Sequence, residues 1–329
     1  SEAFRGCTAL EKIDLTLLRV SGDSVFSGCT SLREVTLSEH TAIGNAMFED
    51  CSSLSKLIFT DTGKFDFSGA LVPFSGCSLS EFVFPEGAET YYFDEATGAF
   101  YTDETRTTLV FAMQTIGSFT APASLKTILP GAFAGSRKLT RITLDGVESI
   151  GDYAFADCSA KGFTSVTVPA SVTYMGAGVF YNCSYLNSAS VRANIAALPA
   201  ATFALSGLSS VTLGDTITAL GDKAFYFTDF VDLDLRSSKV NTLGDYVFGN
   251  PYRLKTVKLP ALTKVGYGTF AHVYDSAMTE VYPLSSVEFA DGTTDIGSGT
   301  FYGTTGYPSL TSVLLPDSVR DNVTVIGRN

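Results

Sequence analysis

The side chains that could do chemistry in this 329-residue chain are six cysteines, two histidines and a few adjacent carboxylates. The cysteines are Cys7, Cys29, Cys51, Cys77, Cys158 and Cys183. Thiolates at suitable spacing hold zinc or pair as disulfides, but no C-x-x-C spacing occurs. Each cysteine instead lies three residues after a phenylalanine. They are therefore one structural position used six times, and other copies place Ser136, Ser206 or Thr228 there. A small buried residue meets that demand, and free cysteine behaves as one. His40 and His272 are far apart, and nothing sets either beside a nucleophile and an acid. Asp94-Glu95, Asp103-Glu104 and Glu49-Asp50 could form acid–base pairs, but they read as solvated turn residues. There is no phosphate loop, no G-x-G-x-x-G after a strand and no calcium loop. No metal, no cofactor and no enzymatic activity is expected.

The elements that position these residues are repeats. Phenylalanine recurs at 4, 26, 48, 74, 133, 155, 180, 203, 225, 248, 270 and 301, mostly 22 or 23 residues apart. One block of the unit reads Ile150-Gly151-Asp152-Tyr153-Ala154-Phe155-Ala156-Asp157-Cys158. A second block reads Leu54-x-x-Leu57-x-Phe59, Leu139-x-x-Ile142-x-Leu144 and Leu254-x-x-Val257-x-Leu259. The last two apolar residues of the second block are two apart, which is strand spacing. In the first block the apolar residue five before the phenylalanine and the residue just before it are four apart, which predicts a helical turn. Glycine four before the phenylalanine, as at Gly44, Gly151 and Gly221, suits a tight turn. The Asp or Asn that follows it (Asp23, Asn45, Asp152, Asp222, Asp245) reads as a helix N-cap. Each unit is thus strand, turn and short helical turn. A unit this short cannot bury its own apolar face, whereas stacked copies can. Stacking at about 4.8 Å per coil would also bring cysteines of neighbouring coils within disulfide reach on Cα distance alone, and that alternative stays open.

Composition narrows the function classes. The formal charge is −12, from 22 basic and 34 acidic residues. Phosphate neutralisation needs clustered Lys and Arg, so nucleic acid is not expected as a partner. An anionic membrane surface is disfavoured for the same reason. No apolar run approaches the ~20 residues of a membrane span, so insertion by this chain is not expected.

The phrase Ile-Gly-x-x-Ala-Phe-x-x-Cys-x-x-Leu-x-x-Val-x-Leu-Pro resembles the BspA-like class of leucine-rich repeats, over nearly the whole chain. The resemblance implies an α/β repeat solenoid, a right-handed superhelix with a parallel β-sheet on one face and short helical turns on the other. It implies one array over residues 1–329 of about 12–13 coils, with irregular units at 86–130 and 271–300 and both ends cut within a repeat. Gly98-Ala99-Phe100-Tyr101 and Thr107-Thr108-Leu109-Val110-Phe111 resemble the helix-poor unit that interrupts such arrays, which implies a hairpin there. The family is found mostly on bacterial cell surfaces and in some parasitic protists, and its better-studied members are adhesins. An extracellular or cell-surface protein that binds a protein or glycan is therefore expected, with a structural spacer as the alternative.

Two surfaces are candidates for that ligand. The first is the outward strand ladder, where Thr143, Thr167, Thr212, Asp234 and Lys258 fall between the last two anchors of their units. Exposed threonine also simply suits a strand, so this reading has a bland rival. The second is the aromatic content of the irregular units: Tyr91, Tyr92 and Tyr101 in one, and Tyr274, Tyr282, Tyr302 and Tyr307 in or beside the other. Tyrosine is amphipathic and enriched at interfaces, and packing of the insertions on the solenoid is the competing reading.

Overall fold

The computed structural model of the chain describes residues 1–18, 22–62, 70, 73–88, 91–272, 283–302 and 310–317. It forms two compact units, Ser1–Phe163 and Thr164–Asn329. In the first unit β1 (Lys12–Asp14), β2 (Glu34–Leu37), β3 (Lys56–Phe59) and β4 (Glu81–Val83) form a parallel sheet in that order. The register steps by one repeat per strand, so Ile13, Val35, Leu57 and Phe82 align in one row. Next come β5 (Tyr92–Asp94), β6 (Ala99–Tyr101) and β7 (Thr108–Ala112), paired antiparallel. Parallel stacking then resumes. Strand β8 (Ser118–Thr120) pairs with β10 (Arg141–Thr143), while β9 (Thr127–Ile128) pairs with β7 and with β11 (Ser149–Ile150).

The second unit has two strand positions per coil. The longer strands are β12 (Ser165–Val168), β14 (Ser188–Val191), β16 (Ser210–Leu213), β18 (Asp232–Asp234), β20 (Thr256–Leu259), β22 (Ser286–Phe289) and β23 (Ser312–Leu314). The shorter are β13 (Tyr174–Met175), β15 (Ala197–Leu198), β17 (Ala219–Leu220), β19 (Thr242–Leu243) and β21 (Lys264–Val265). Sheets run β12-β14-β16, β18-β20-β22-β23 and β15-β17-β19-β21, with every printed pair parallel.

Alternation places the core. In Glu34–Leu37, Val35 and Leu37 are fully buried while Glu34 and Thr36 are not. The phenylalanines stack coil on coil. Phe26 and Phe48 lie 5.4 Å apart at 6°, and Phe203, Phe225 and Phe248 follow at 5.8 and 5.7 Å, nearly parallel. Each interior ring thus buries both faces.

The helical turns expected from the four-residue spacing are absent: in the repeats up to Leu315 no described residue is helical. Two observations explain why. Residues two before and two after the anchor have positive φ: Ser24 and Gly28 around Phe26, Ala46 and Asp50 around Phe48, Ala201 and Leu205 around Phe203. Left-handed residues at that interval interrupt any right-handed helix. The N–H groups that a helix would use internally point to the next coil instead. Ser24, Phe26 and Gly28 donate to the carbonyls of Asn45, Met47 and Glu49 at 2.9, 2.8 and 2.7 Å. Ala201, Phe203 and Leu205 do the same to Asp222, Ala224 and Tyr226. Every second N–H pairs sideways, as in a sheet, while i→i+3 turn bonds such as Cys29 N–H to the Phe26 carbonyl at 3.1 Å fold the chain between them.

Two sequence readings change with this ladder. The Asp after the glycine does not cap a helix. Asp23 accepts the Asn45 N–H at 2.9 Å, Asp222 the Asp245 N–H at 2.8 Å and Asp245 the Tyr267 N–H at 2.7 Å, each one coil onward. The preceding glycine serves close approach rather than a left-handed turn. A Cβ on Gly221 would lie 2.6 Å from the Ala200 nitrogen of the previous coil, and one on Gly44 would overlap the Gly22 carbonyl.

Candidate interaction surfaces

The outward residues of the longer strands form columns set by register. On β12-β14-β16, Ser165, Ser188 and Ser210 align in one column, and Thr167, Ser190 and Thr212 in the next. Thr167 and Thr212 are exposed and lie on either side of Ser190. Arg192 Nε donates to Ser190 Oγ at 3.4 Å. The sequence frame missed β14 because its middle anchor is only Ala189; the signal is Leu186-x-x-Ala189-x-Val191, which starts three residues after Cys183.

On β18-β20-β22 one outward column is charged throughout. Asp234 aligns with Lys258 and Lys258 with Glu288. Arg236 grips Asp234 through two bonds, Nη2 at 2.7 Å and Nε at 3.0 Å, and reaches Glu288 at 3.4 Å. The Arg236 guanidinium holds the Asp234 carboxyl down at about 2. Lys258 stands 4.0 Å from Glu288. Structure therefore joins Asp234 to Lys258 and adds Arg236 and Glu288 to the group, with its charges engaged internally. On β1-β4 the same holds: Lys12 meets Glu34 at 3.3 Å and Lys56 meets Glu81 at 2.9 Å. Thr143 is half-buried and aligns with Thr120 of β8.

The tyrosine group of the antiparallel piece divides. Tyr92 is exposed at 39% and Tyr91 is half-buried against the first unit's core. Tyr101, expected at the ligand surface, is fully buried at 0%. Strand pairing explains the correction. Tyr101 faces Tyr92 across β5–β6 and is covered on its other edge by β7. Its hydroxyl donates to Thr97 Oγ1 at 3.0 Å. Thr97 Oγ1 donates in turn to Asp94 at 3.1 Å, and Arg106 meets Asp94 at 2.9 Å. Burial acts to raise the Asp94 carboxyl, but Arg106 and the Ala96 and Thr97 donors outweigh it and the net shift is downward. Tyr101 is thus a pin of the hairpin and inaccessible to a ligand. Tyr274, Tyr282 and Tyr307 lie outside the described residues.

The cysteines are free, and all but Cys7 are buried. Cys29, Cys51 and Cys77 each donate Sγ–H to the anchor carbonyl of the coil before, at 3.1 Å: Phe4, Phe26 and Phe48. Burial pushes the Cys51 thiol up to about 12, which keeps it protonated. Where Ser206 or Thr228 stands in for cysteine, the hydroxyl turns to its own coil's anchor carbonyl, at 2.7 and 3.0 Å. His40 is exposed, 3.7 Å from Glu39, and His272 is buried, which lowers its pKa. Among the described residues no group of three or more His, Cys, Asp or Glu is arranged to hold a metal, and no helix is long and apolar enough to cross a membrane.

A family model, the BspA type leucine rich repeat region, matches six copies over residues 1–98, 107–228 and 198–278. No curated protein matches the chain. Among solved structures, a leucine-rich repeat protein from Bacteroides ovatus is 20% identical, with 90% of this chain and 86% of that one covered and a TM-score of 0.43. A leucine rich cell surface protein from Faecalibacterium prausnitzii is 17% identical, with 97% and 87% covered and a TM-score of 0.39. A leucine-rich repeat protein from Eubacterium ventriosum is 14% identical, with 94% and 82% covered and a TM-score of 0.41.

Proposed function

The chain belongs to the BspA-type leucine-rich repeat family, and from that premise we propose that it is a non-catalytic binding module of a secreted or cell-surface protein. Its role is to recognise a protein or glycan, as an adhesin does. The observation that supports this reading most is the register of β12-β14-β16. Six hydroxyl side chains stand in two straight columns on the outward side of a sheet whose inward Val166, Val168, Ala189 and Val191 are buried in the core. A pre-formed, repetitive array of hydrogen-bonding groups on a rigid support costs little ordering when a ligand binds. The acidic balance of the chain directs the choice of partner away from nucleic acid.

A screen of the purified chain against extracellular-matrix proteins and glycans tests the reading. It is run beside Thr167→Ala/Thr212→Ala and Tyr92→Ser. A partner lost with the threonine pair places recognition on the strand face, and one lost with Tyr92→Ser places it on the hairpin. No partner at all, with the fold intact by circular dichroism, favours a second reading, a structural spacer within a surface protein. The observation behind that reading is the coil-to-coil pairing of Lys12 with Glu34 and Lys56 with Glu81, which engages the outward charges of β1-β4 with one another.

A further inference from the structure

On the turn side of the second unit, aromatic rings run from coil to coil. Tyr246 and Tyr267 are 5.5 Å apart edge to face, and Tyr267 and Tyr302 are 6.4 Å apart. Tyr267 and Tyr302 are exposed, at 38% and 54%. These are not strand-face residues, and the repeat frame does not require an aromatic there, since it uses different positions of the unit in each coil. Tyr246 and Tyr267 are each seated on a glycine of the following coil. A Cβ on Gly268 would lie 2.7 Å from the Tyr246 ring, and one on Gly299 2.6 Å from the Tyr267 ring.

Carboxylates accompany the rings. Asp245, next to Tyr246 in sequence, accepts the Tyr267 N–H at 2.7 Å, and Asp222 accepts the Asp245 N–H at 2.8 Å. Each carboxylate is fixed by the following coil, so the acidic row is as rigid as the backbone. Burial pushes the Tyr246 phenol up, and Tyr267, Asp245 and Tyr302 add to the shift. One cation already uses this type of site. Lys223 Nζ stands 5.8 Å over the ring of Tyr226, one coil earlier.

We propose that the tyrosine column Tyr246–Tyr267–Tyr302, with Asp245 and Asp222 beside it, is a docking surface for a basic segment of a partner protein, whose Lys or Arg side chains lie on the rings. Charge complementarity selects this partner. A ring face attracts a cation, fixed carboxylates strengthen that attraction, and a net charge of −12 steers a basic partner toward the chain. This inference rests on the binding-module reading and names the chemistry of one partner class.

The test is fluorescence anisotropy of a labelled peptide that alternates Lys with Ser, titrated with the full chain at low and at physiological salt. The parent protein binds, and binding weakens with salt. The double variant Tyr267→Ala/Tyr302→Ala, made at two exposed positions, weakens binding about tenfold, the product of two exposed cation–ring contacts. Tyr267→Phe/Tyr302→Phe stays within about threefold, because the ring face persists. Glu86→Gln/Glu104→Gln, which removes two exposed charges from the other unit, leaves the affinity unchanged. Four results overturn the proposal: no binding by the parent, equal binding of a peptide with Gln for Lys, equal loss in the Glu86/Glu104 variant, or loss in the phenylalanine pair, which would mark hydroxyl-dependent recognition of a glycan type. A partner from the matrix and glycan screen that still binds Tyr267→Ala/Tyr302→Ala leaves the binding-module reading standing while the column falls.

Discussion

Individual residues carry two kinds of constraint in this fold, backbone conformation and thiol burial. Ala201 has φ 52°, where an L-residue with a Cβ is strained by about 1–2 kcal/mol. Ala201→Gly removes that strain and adds about 0.4–1 kcal/mol of unfolded-state entropy, so a net gain of about 0.5 kcal/mol is expected. Ala154 is fully buried and has no positive φ. Ala154→Gly is expected to lose about 1 kcal/mol or more. Opposite signs for two Ala→Gly changes in denaturant melts would check the left-handed pattern. The thiols give a second test. Native protein should react with one equivalent of a thiol reagent, at exposed Cys7, and denatured protein with six. Cys51 has a folded pKa of about 12 against an ordinary value of 9.0. Its protonated form is thus favoured by folding, and that stability is complete below pH 9 and lost as pH rises toward 12. Cys51→Ala should cost about 1 kcal/mol at neutral pH through the lost bond to the Phe26 carbonyl. The gap to the parent should narrow above pH 9, and a gap that widens would contradict a raised Cys51 thiol.

At the scale of elements, the phenylalanine column and the strand register are two parts of one stacking device. Phe225 lies between Phe203 and Phe248 and also meets Phe230 edge-on at 5.6 Å. Phe225→Ala should cost about 3–5 kcal/mol. Phe4 is 46% exposed and has one stacked neighbour, Phe26. Phe4→Ala should cost well under half as much, and thermal melts of the two variants would rank them. The β5–β7 piece depends on a different contact. Asp94 is buried and its charge is met by Arg106. Arg106→Ala leaves that carboxylate without its counter-charge, at an expected cost of about 1–3 kcal/mol. An unchanged melting curve for Arg106→Ala would show that water supplies what the guanidinium supplies now.

At the scale of the molecule, stability within a unit grows by repetition, because from Phe203 to Phe270 successive coils share the same ring stack and turn ladder. Deleting residues 203–224, one repeat measured from anchor to anchor, leaves the frame intact. The shortened protein should fold and should unfold with an enthalpy lower by about 15 kcal/mol, at ~0.7 kcal/mol per residue. A deletion of half that length breaks the alternation of strand and turn, and circular dichroism should report loss of structure. Equal tolerance of both deletions would contradict a fold built on register.

Sequence alone determined the period and, apart from β14 with its small Ala189 anchor, the inward anchors and strand faces of the parallel strands. A 22-residue recurrence of Phe and a two-residue alternation in the Leu-x-x-Val-x-Leu block admit one economical burial scheme, stacked parallel strands. It also assigned the cysteines to a single small position, which is buried at all but Cys7. Tertiary structure alone decided the turn side. A four-residue apolar spacing is shared by a helical turn and by a chain that alternates left-handed residues, and only the hydrogen-bond partners in the next coil distinguish them. The N–H of Phe26 is satisfied by Met47, 21 residues away in sequence, so no local propensity could reveal it. Tyr101 was misplaced for the same reason: an aromatic in an irregular unit looks available until a third strand, β7, covers it. The column of Tyr246, Tyr267 and Tyr302 was equally hidden, because the three residues occupy different positions of the repeat and meet only when the coils are stacked.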